Sequence, residues 1–306
     1  MCAPLVPGVI AWLRKYRLEV ALVCPLFLYV LGLTISPILD TARVALTSPL
    51  DGHFPSLVNY RAILGTDLFG AAVVNTVAIA LFSIVLQLGV GLAVALTLHA
   101  NFRCRALVRT VMLLPLGVPT IVAGAVMLLI FSRSGYLNAV LFALADAVHA
   151  VLGIQWRFVP LSWTVAGGWR TLAIVAVADM WKVLPIVILI FLAGLQAIPD
   201  EVNEAADVDG ATPWQRFVRV TLPLLRPYIT MAIILRAIDA FRIFELALVL
   251  AGRVEPVLGT YIWNRYGPPT NDPFTAAAAS IVLFGLILVF VFLYLRVAHG
   301  GKEDSA

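Results

Sequence analysis

Long apolar runs alternate with short polar segments along this 306-residue chain. A helix needs about 20 apolar residues to cross a bilayer core. Six runs meet that length: roughly 18–39, 71–98, 107–131, 171–197, 222–251 and 276–298. Lipid offers no partner to unpaired backbone groups, so these runs must be helical. A seventh apolar stretch, 136–152, carries Asn138, Asp146 and His149. Its shortness and polarity predict an interfacial or re-entrant helix rather than a span. The pattern therefore predicts an all-α integral membrane protein with six transmembrane helices.

One long polar insert breaks the pattern, between the fourth and fifth runs. Its first half, 199–209, reads as a short helix bearing Asp200, Glu201, Glu204, Asp207 and Asp209. Val202, Ala205, Ala206 and Val208 give it a small-residue patch. Gly210 suits the left-handed turn that ends a helix. A second start follows: Thr212 as cap, Pro213 at the first helical position, and Gln215 completing a capping box. Trp214, Phe217 and Val218 form one face of this second helix, and Arg216 and Arg219 another. Five carboxylates would repel an anionic leaflet. A protein partner accounts for the insert better than a helix resting on lipid headgroups.

Composition supports the membrane assignment. Charged residues make up 12% of the chain and mean hydropathy is +1.00, against roughly 25% charge in soluble domains. The net charge of +4 does not imply nucleic acid, because the basic residues flank the apolar runs. Arg14, Lys15 and Arg17 precede the first run, which exceeds the roughly 7–15 apolar residues of a signal-peptide core. It reads as an uncleaved span. Six spans put both termini on one side. That side holds eleven Lys and Arg: Arg14, Lys15, Arg17, Arg103, Arg105, Arg109, Arg216, Arg219, Arg226, Arg296 and Lys302. The other side holds seven: Arg43, Arg61, Arg133, Arg157, Arg170, Arg253 and Arg265. The bias predicts cytoplasmic termini and a cytoplasmic insert. Cys2, Cys24 and Cys104 form no C-x-x-C pair, and the four histidines are scattered, so no metal site is expected.

Ionisable residues inside a membrane are functional candidates by default. Here they are Asp179, Lys182, Arg236, Asp239, Arg242 and Glu245, with Asn75 and Gln87 as uncharged companions. Asp179 and Lys182 lie three apart on one helix face, as do Asp239 and Arg242, so these charges can pair locally or can contact or gate a substrate, and Lys182 can instead snorkel. Trp181 can stack on a sugar ring or pack in the core. As candidates to line a solute path, Asn75, Gln87, Trp181, Asp239, Arg242 and Glu245 stand out.

The insert carries a family resemblance. Glu204-Ala205-Ala206, three residues, Gly210, nine residues, Val220, one residue and Leu222-Pro223 match the EAA loop of permease subunits in bacterial ABC importers. The extended form, Ile-Pro-x-Glu-x-x-Glu-Ala-Ala-x-x-Asp-Gly-Ala, is present from Ile198 to Ala211. Asn75-Thr76, Pro115 with Pro119, Trp181 with Pro185, and Asp239 to Phe244 resemble the carbohydrate-type (maltose and glycerol-phosphate) permeases. The likeness covers about 69–296 and is nearer the maltose-F-like member of the permease pair. That member often has a Gly-Gly-Pro-like loop after the fifth span; this chain reads Ala251-Gly-Arg-Val-Glu-Pro256 instead.

The resemblance implies a domain plan: 1–68 with the first span and an outer loop, 69–296 as the importer transmembrane domain with its EAA loop at 198–223, and a cytoplasmic tail at 297–306. It implies a bacterial plasma-membrane location and import of a sugar or sugar derivative. The implied partners are a second permease, two ATPase subunits and an extracytoplasmic substrate-binding protein. ATP and Mg would sit on the ATPase subunits, with no cofactor on this chain. Glu204, Ala205, Ala206, Asp209, Gly210, Leu222 and Pro223 would carry the coupling to the ATPase. The chain itself has no P-loop: none of Lys15, Lys182 and Lys302 precedes Ser or Thr. An ion-gradient-driven secondary transporter is the competing reading, but it predicts inverted repeats that are not evident here. A membrane-embedded enzyme would need a clustered nucleophile, base or metal set, which the sequence does not offer.

Overall fold

The structure, a computed structural model, describes residues 15–100, 102–153, 159–164, 167–252 and 255–300. Cys2, Arg14, Arg157, Arg253 and Lys302, named above, lie outside the described residues, as do 301–306 of the expected tail. Among the described residues all regular structure is helical.

Among the described residues five helices are long and apolar enough to cross a membrane, and the bent pair Pro213–Leu224 with Arg226–Phe241 brings the number to the six expected if it is counted as one span. Helix α1 (Arg17–Ala45) comes first and contains one π-helical turn, Leu31–Ile35. The reason is local. Pro37 has no N–H to give, and just before it the ladder widens, with the Ser36 N–H bonded to Leu31 O. A short helix, α2 (Val58–Leu64), leads into α3 (Asp67–His99).

The third expected span, 107–131, is corrected. It is two helices, α4 (Arg105–Gly117) and α5 (Thr120–Phe131), parted at Val118-Pro119. Pro119 removes the amide that would have continued the first helix. The stretch at 136–152 is helical, as expected. It forms α6 (Tyr136–Leu152), and Thr120–Leu152 together makes a 33-residue span candidate.

The fourth span is α7 (Trp169–Gln196). The polar insert follows as α8 (Asp200–Val208) and α9 (Pro213–Leu224). The fifth expected span, 222–251, is also corrected. Helix α10 (Arg226–Phe241) meets α9 at a 62° bend, stops, and resumes after Arg242-Ile243-Phe244 as α11 (Glu245–Leu250). A short helix α12 (Leu258–Tyr266) precedes the last span, α13 (Pro273–Gly300).

Helices α3 and α7 pack side by side and form the centre of the molecule. Small residues allow the approach. A Cβ on Gly91 of α3 would come within 2.8 Å of Val187, and one on Gly194 of α7 within 2.7 Å of Leu225 and Tyr228. Four apolar clusters surround this pair. One joins Ile79, Met127, Val175 and Leu246, so α11 tucks in beside α5 rather than facing lipid. Helix α13 lies against α2, α10, α12 and the Ser36–Ala45 half of α1. The molecule thus has two ends, one carrying α8 and α9, the other α2, α12 and the start of α3.

Candidate coupling surface and polar path

The α8–α9 hairpin is fixed by caps that the sequence announces. Asp200 and Glu201 sit in the first turn of α8, where carboxylates favour the positive helix end. At the other end, Gly210 takes φ +73°. The Ala211 N–H reaches Ala206 O at 3.0 Å and the Gly210 N–H reaches Asp207 O at 3.1 Å. These two bonds form a Schellman cap, which needs a left-handed residue at Gly210. Two residues on, the Thr212 N–H donates to Gln215 Oε1 at 2.9 Å and the Gln215 N–H to Thr212 Oγ1 at 3.3 Å. The predicted capping box is therefore formed.

One contact was not legible beforehand. Arg216 donates through Nη1 to both carboxylate oxygens of Asp207, at 2.7 and 2.9 Å. It clamps α9 to α8 across the glycine turn. Asp207 and Arg216 are nine residues apart, a spacing that no single-helix rule flags. The Trp214 and Phe217 rings stack at a tilt, 5.7 Å between centroids.

Of the predicted coupling residues, Glu204, Ala205, Asp209 and Gly210 are exposed together, and Ala206 is buried beneath them. Val208 is 87% exposed and Trp214 72%. Leu222 and Pro223 lie apart, at the far end of α9 where the chain bends into α10. Between the hairpin and the ends of α3 and α7 is a crevice of about 630 Å³, walled by Leu96, Leu195, Ile198 and Phe217. The hairpin is held stiffly within itself and presents a small-residue, acidic face outward.

The intramembrane polar residues do not form one site. Gln87 belongs to a buried network with Asp179 and Arg236. Ser83 Oγ donates to Asp179 Oδ2, and Gln87 Nε2 donates to Ser83 Oγ at 3.0 Å and to Asp179 Oδ2 at 3.1 Å. Arg236 Nε donates to Gln87 Oε1, and its Nη2 to Asp179 Oδ2 at 2.7 Å. The Arg236 side chain is 1% exposed. Its remaining arm meets Asp239 Oδ2 at 3.5 Å, and the Asp239 side chain is 53% exposed. The network binds α3, α7 and α10 together.

Neither of the two possible local pairs forms. Asp179 pairs with Arg236 across helices, not with Lys182. Lys182 Nζ donates instead to the carbonyls of Pro115 and Leu116, each at 3.1 Å. Asp239 pairs one turn backward with Arg236, not forward with Arg242. A buried guanidinium must be matched, and Arg236 takes the available carboxylates. Arg242 and Glu245 are exposed at the break between α10 and α11.

Asn75 sits at the end away from α8, where its Nδ2 donates to Glu255 Oε2 and Pro256 O at 3.0 Å each. Glu255 also accepts the Gly168 N–H at the start of α7. Trp181 is partly buried against the apolar cluster of Ile79 and Val175. Sequence reasoning missed Ser83 and Glu255. Ser83 had a signal, standing four residues before Gln87 on the same helix face; Glu255, in a loop, had none. Among the described residues no group of three or more His, Cys, Asp or Glu could hold a metal ion.

With this geometry in hand, comparison with known proteins places the chain among transport components. A family described as "Binding-protein-dependent transport system inner membrane component" matches residues 87–299. The trehalose/maltose transport system permease protein MalF of Thermococcus litoralis is 34% identical over 298 residues, covering 95% of this chain and 96% of the relative. The trehalose transport system permease protein SugA of Mycobacterium tuberculosis is 32% identical, covering 96% and 94%. Among solved structures, a bacterial ABC transporter for import of the acidic polysaccharide alginate has the same fold, at TM-score 0.80, 21% identity and coverage of 98% and 100%.

Proposed function

Because the chain belongs to the family of binding-protein-dependent transport system inner membrane components, we propose that it forms half of the path through an ATP-driven sugar importer. The reading rests on one observation above others: a doubly capped helical hairpin whose acidic, small-residue face is exposed at one end of the helical bundle. A rigid exposed helix can pass a push from a partner to the span it is chained to. Here α8 follows α7 after three residues. The face of Glu204, Ala205, Asp209 and Gly210, backed by the buried Ala206, docks on an ATPase subunit, with Leu222 and Pro223 setting the angle at which α9 re-enters the membrane.

ATP and Mg2+ belong to two ATPase subunits, since this chain has no P-loop lysine. A second permease supplies the other half of the path, and a substrate-binding protein delivers cargo from outside. The basic bias at the α8 end supports a cytoplasmic hairpin and cytoplasmic termini in a bacterial plasma membrane. Sugar is the favoured cargo because the full-length relatives include permeases named for trehalose, maltose and sulfoquinovosyl glycerol. The break at Arg242-Ile243-Phe244 supports a path along α10. Irregular backbone at membrane depth is tolerated where it lines a cavity or is covered by protein. Asp239, Arg242 and Glu245 face that path, while Asn75, Gln87 and Trp181 shape it through packing. An ion-gradient transporter has no use for the hairpin, and family membership removes that alternative.

Affinity purification of the chain from its own membrane tests the proposal. An ATPase and a second permease should come down with it, and the reconstituted complex should take up a sugar only with ATP and the binding protein. Uptake by this chain alone, driven by an ion gradient, would contradict it.

A further inference from the structure

Lys182 is a cation in the middle of a span, the fourteenth of the 28 residues of α7. An ammonium at that depth is costly unless it is engaged. Among the described residues no carboxylate engages it: Asp179, one turn back, is taken by Arg236. Its Nζ donates to Pro115 O and Leu116 O, each at 3.1 Å. Those two carbonyls belong to the last turn of α4, and the chain explains why they need a donor. In an unbroken helix Pro115 O would accept the N–H of residue 119, but residue 119 is proline. The Val118 N–H bends back to Pro115 O at 3.3 Å, as a tightened final turn does. The carbonyl end of α4 also carries the negative pole of its helix dipole. Lys182 supplies the missing donor and the opposite charge at once.

The same face of α7, one turn back, holds the second bond set. Asp179 anchors Arg236 of α10 and Ser83 and Gln87 of α3. One turn of α7 therefore grips the break in the third span through Lys182 and the helix leading to the break in the fifth span through Asp179. Helix α7 is also the span directly chained to α8.

We infer that Lys182 is a positioning residue of the transport cycle, an intramembrane clamp that makes the break at Val118-Pro119 follow the tilt of α7. It acts through α4 and does not touch cargo. The inference rests on the importer reading. When an ATPase moves α8, α7 carries the end of α4 with it, and the path narrows or widens at the break. Without the clamp, α7 moves and the half-helix lags.

The test uses the whole complex, permease pair, ATPases and binding protein, reconstituted in vesicles and supplied with trehalose or maltose as trial cargo. Wild type must first import on ATP. If it imports neither these nor any other sugar its binding protein takes, the importer reading fails and the inference falls with it. Three values are then read for Lys182→Met and Lys182→Arg: ATP hydrolysed per sugar imported, the maximal uptake rate and KM. Lys182→Met is expected to raise the ATP-to-sugar ratio about tenfold, the scale of one lost charge-assisted hydrogen bond. KM should stay unchanged, and Lys182→Arg, which keeps the donors, should restore the ratio. An unchanged ratio in assembled Lys182→Met overturns the inference, as does a change confined to KM, which would mark a cargo contact. If Lys182→Met fails to assemble, Lys182→Gln takes its place with the same expected ratio, and a wild-type ratio there overturns it.

Discussion

Asp179 and Arg236 form the most consequential residue pair in the molecule. Each is buried, and neither can be removed alone without leaving an uncompensated charge in the bundle. Asp179→Ala should therefore destabilise the protein by about 3–5 kcal/mol, whereas Asp179→Leu combined with Arg236→Met should recover most of that loss. Unfolding in detergent micelles, followed by tryptophan fluorescence, measures both. A double variant no more stable than the single one would show that the pair does not act as a unit. The sequence marked both residues as intramembrane charges but set Asp179 beside Lys182 and gave Arg236 no partner. Spacing along one helix favours Lys182 for Asp179, and only the packing of α3, α7 and α10 brings Arg236 closer. Long-range pairing of this kind leaves no periodic trace.

At the scale of elements, the spans were legible because lipid demands about 20 apolar residues in a row. The caps of the α8–α9 hairpin were legible because each uses a residue type with one local purpose: Gly210 for a positive φ, and Thr212 with Gln215 for orphan amides. The breaks were less so. Pro119 marked the end of α4, but prolines are common enough in spans that the break was not expected. The interruption at Arg242-Ile243-Phe244 contains neither glycine nor proline, and tertiary packing of α11 beside α5 imposes it. Two predictions belong here. Gly210→Val forces a β-branched residue to a φ of +73°, so the Schellman cap should open. Assembly should persist while ATP hydrolysis uncouples from sugar uptake, and unchanged uptake would contradict the hairpin's role. Gly194→Val would press a side chain into Leu225 and Tyr228, at a cost of about 1–3 kcal/mol. A lower midpoint in thermal unfolding checks it, and an unchanged midpoint would mean that α7 and α10 separate freely.

For the whole molecule, the layout has a consistent direction. The capped hairpin sits at one end, α7 runs from it through the polar turn at Asp179 and Lys182, and Glu255 ties the start of α7 to Asn75 of α3 at the other end. A displacement of α8 thus has a continuous helical route across the bundle. In the proposed importer, α8 is where an ATPase takes hold. A photo-cross-linker placed at Ala205, exposed on α8, tests it in native membranes. The expected result is an adduct with an ATPase subunit whose yield changes when ATP is added. ATP-driven uptake that persists with no such adduct would contradict it.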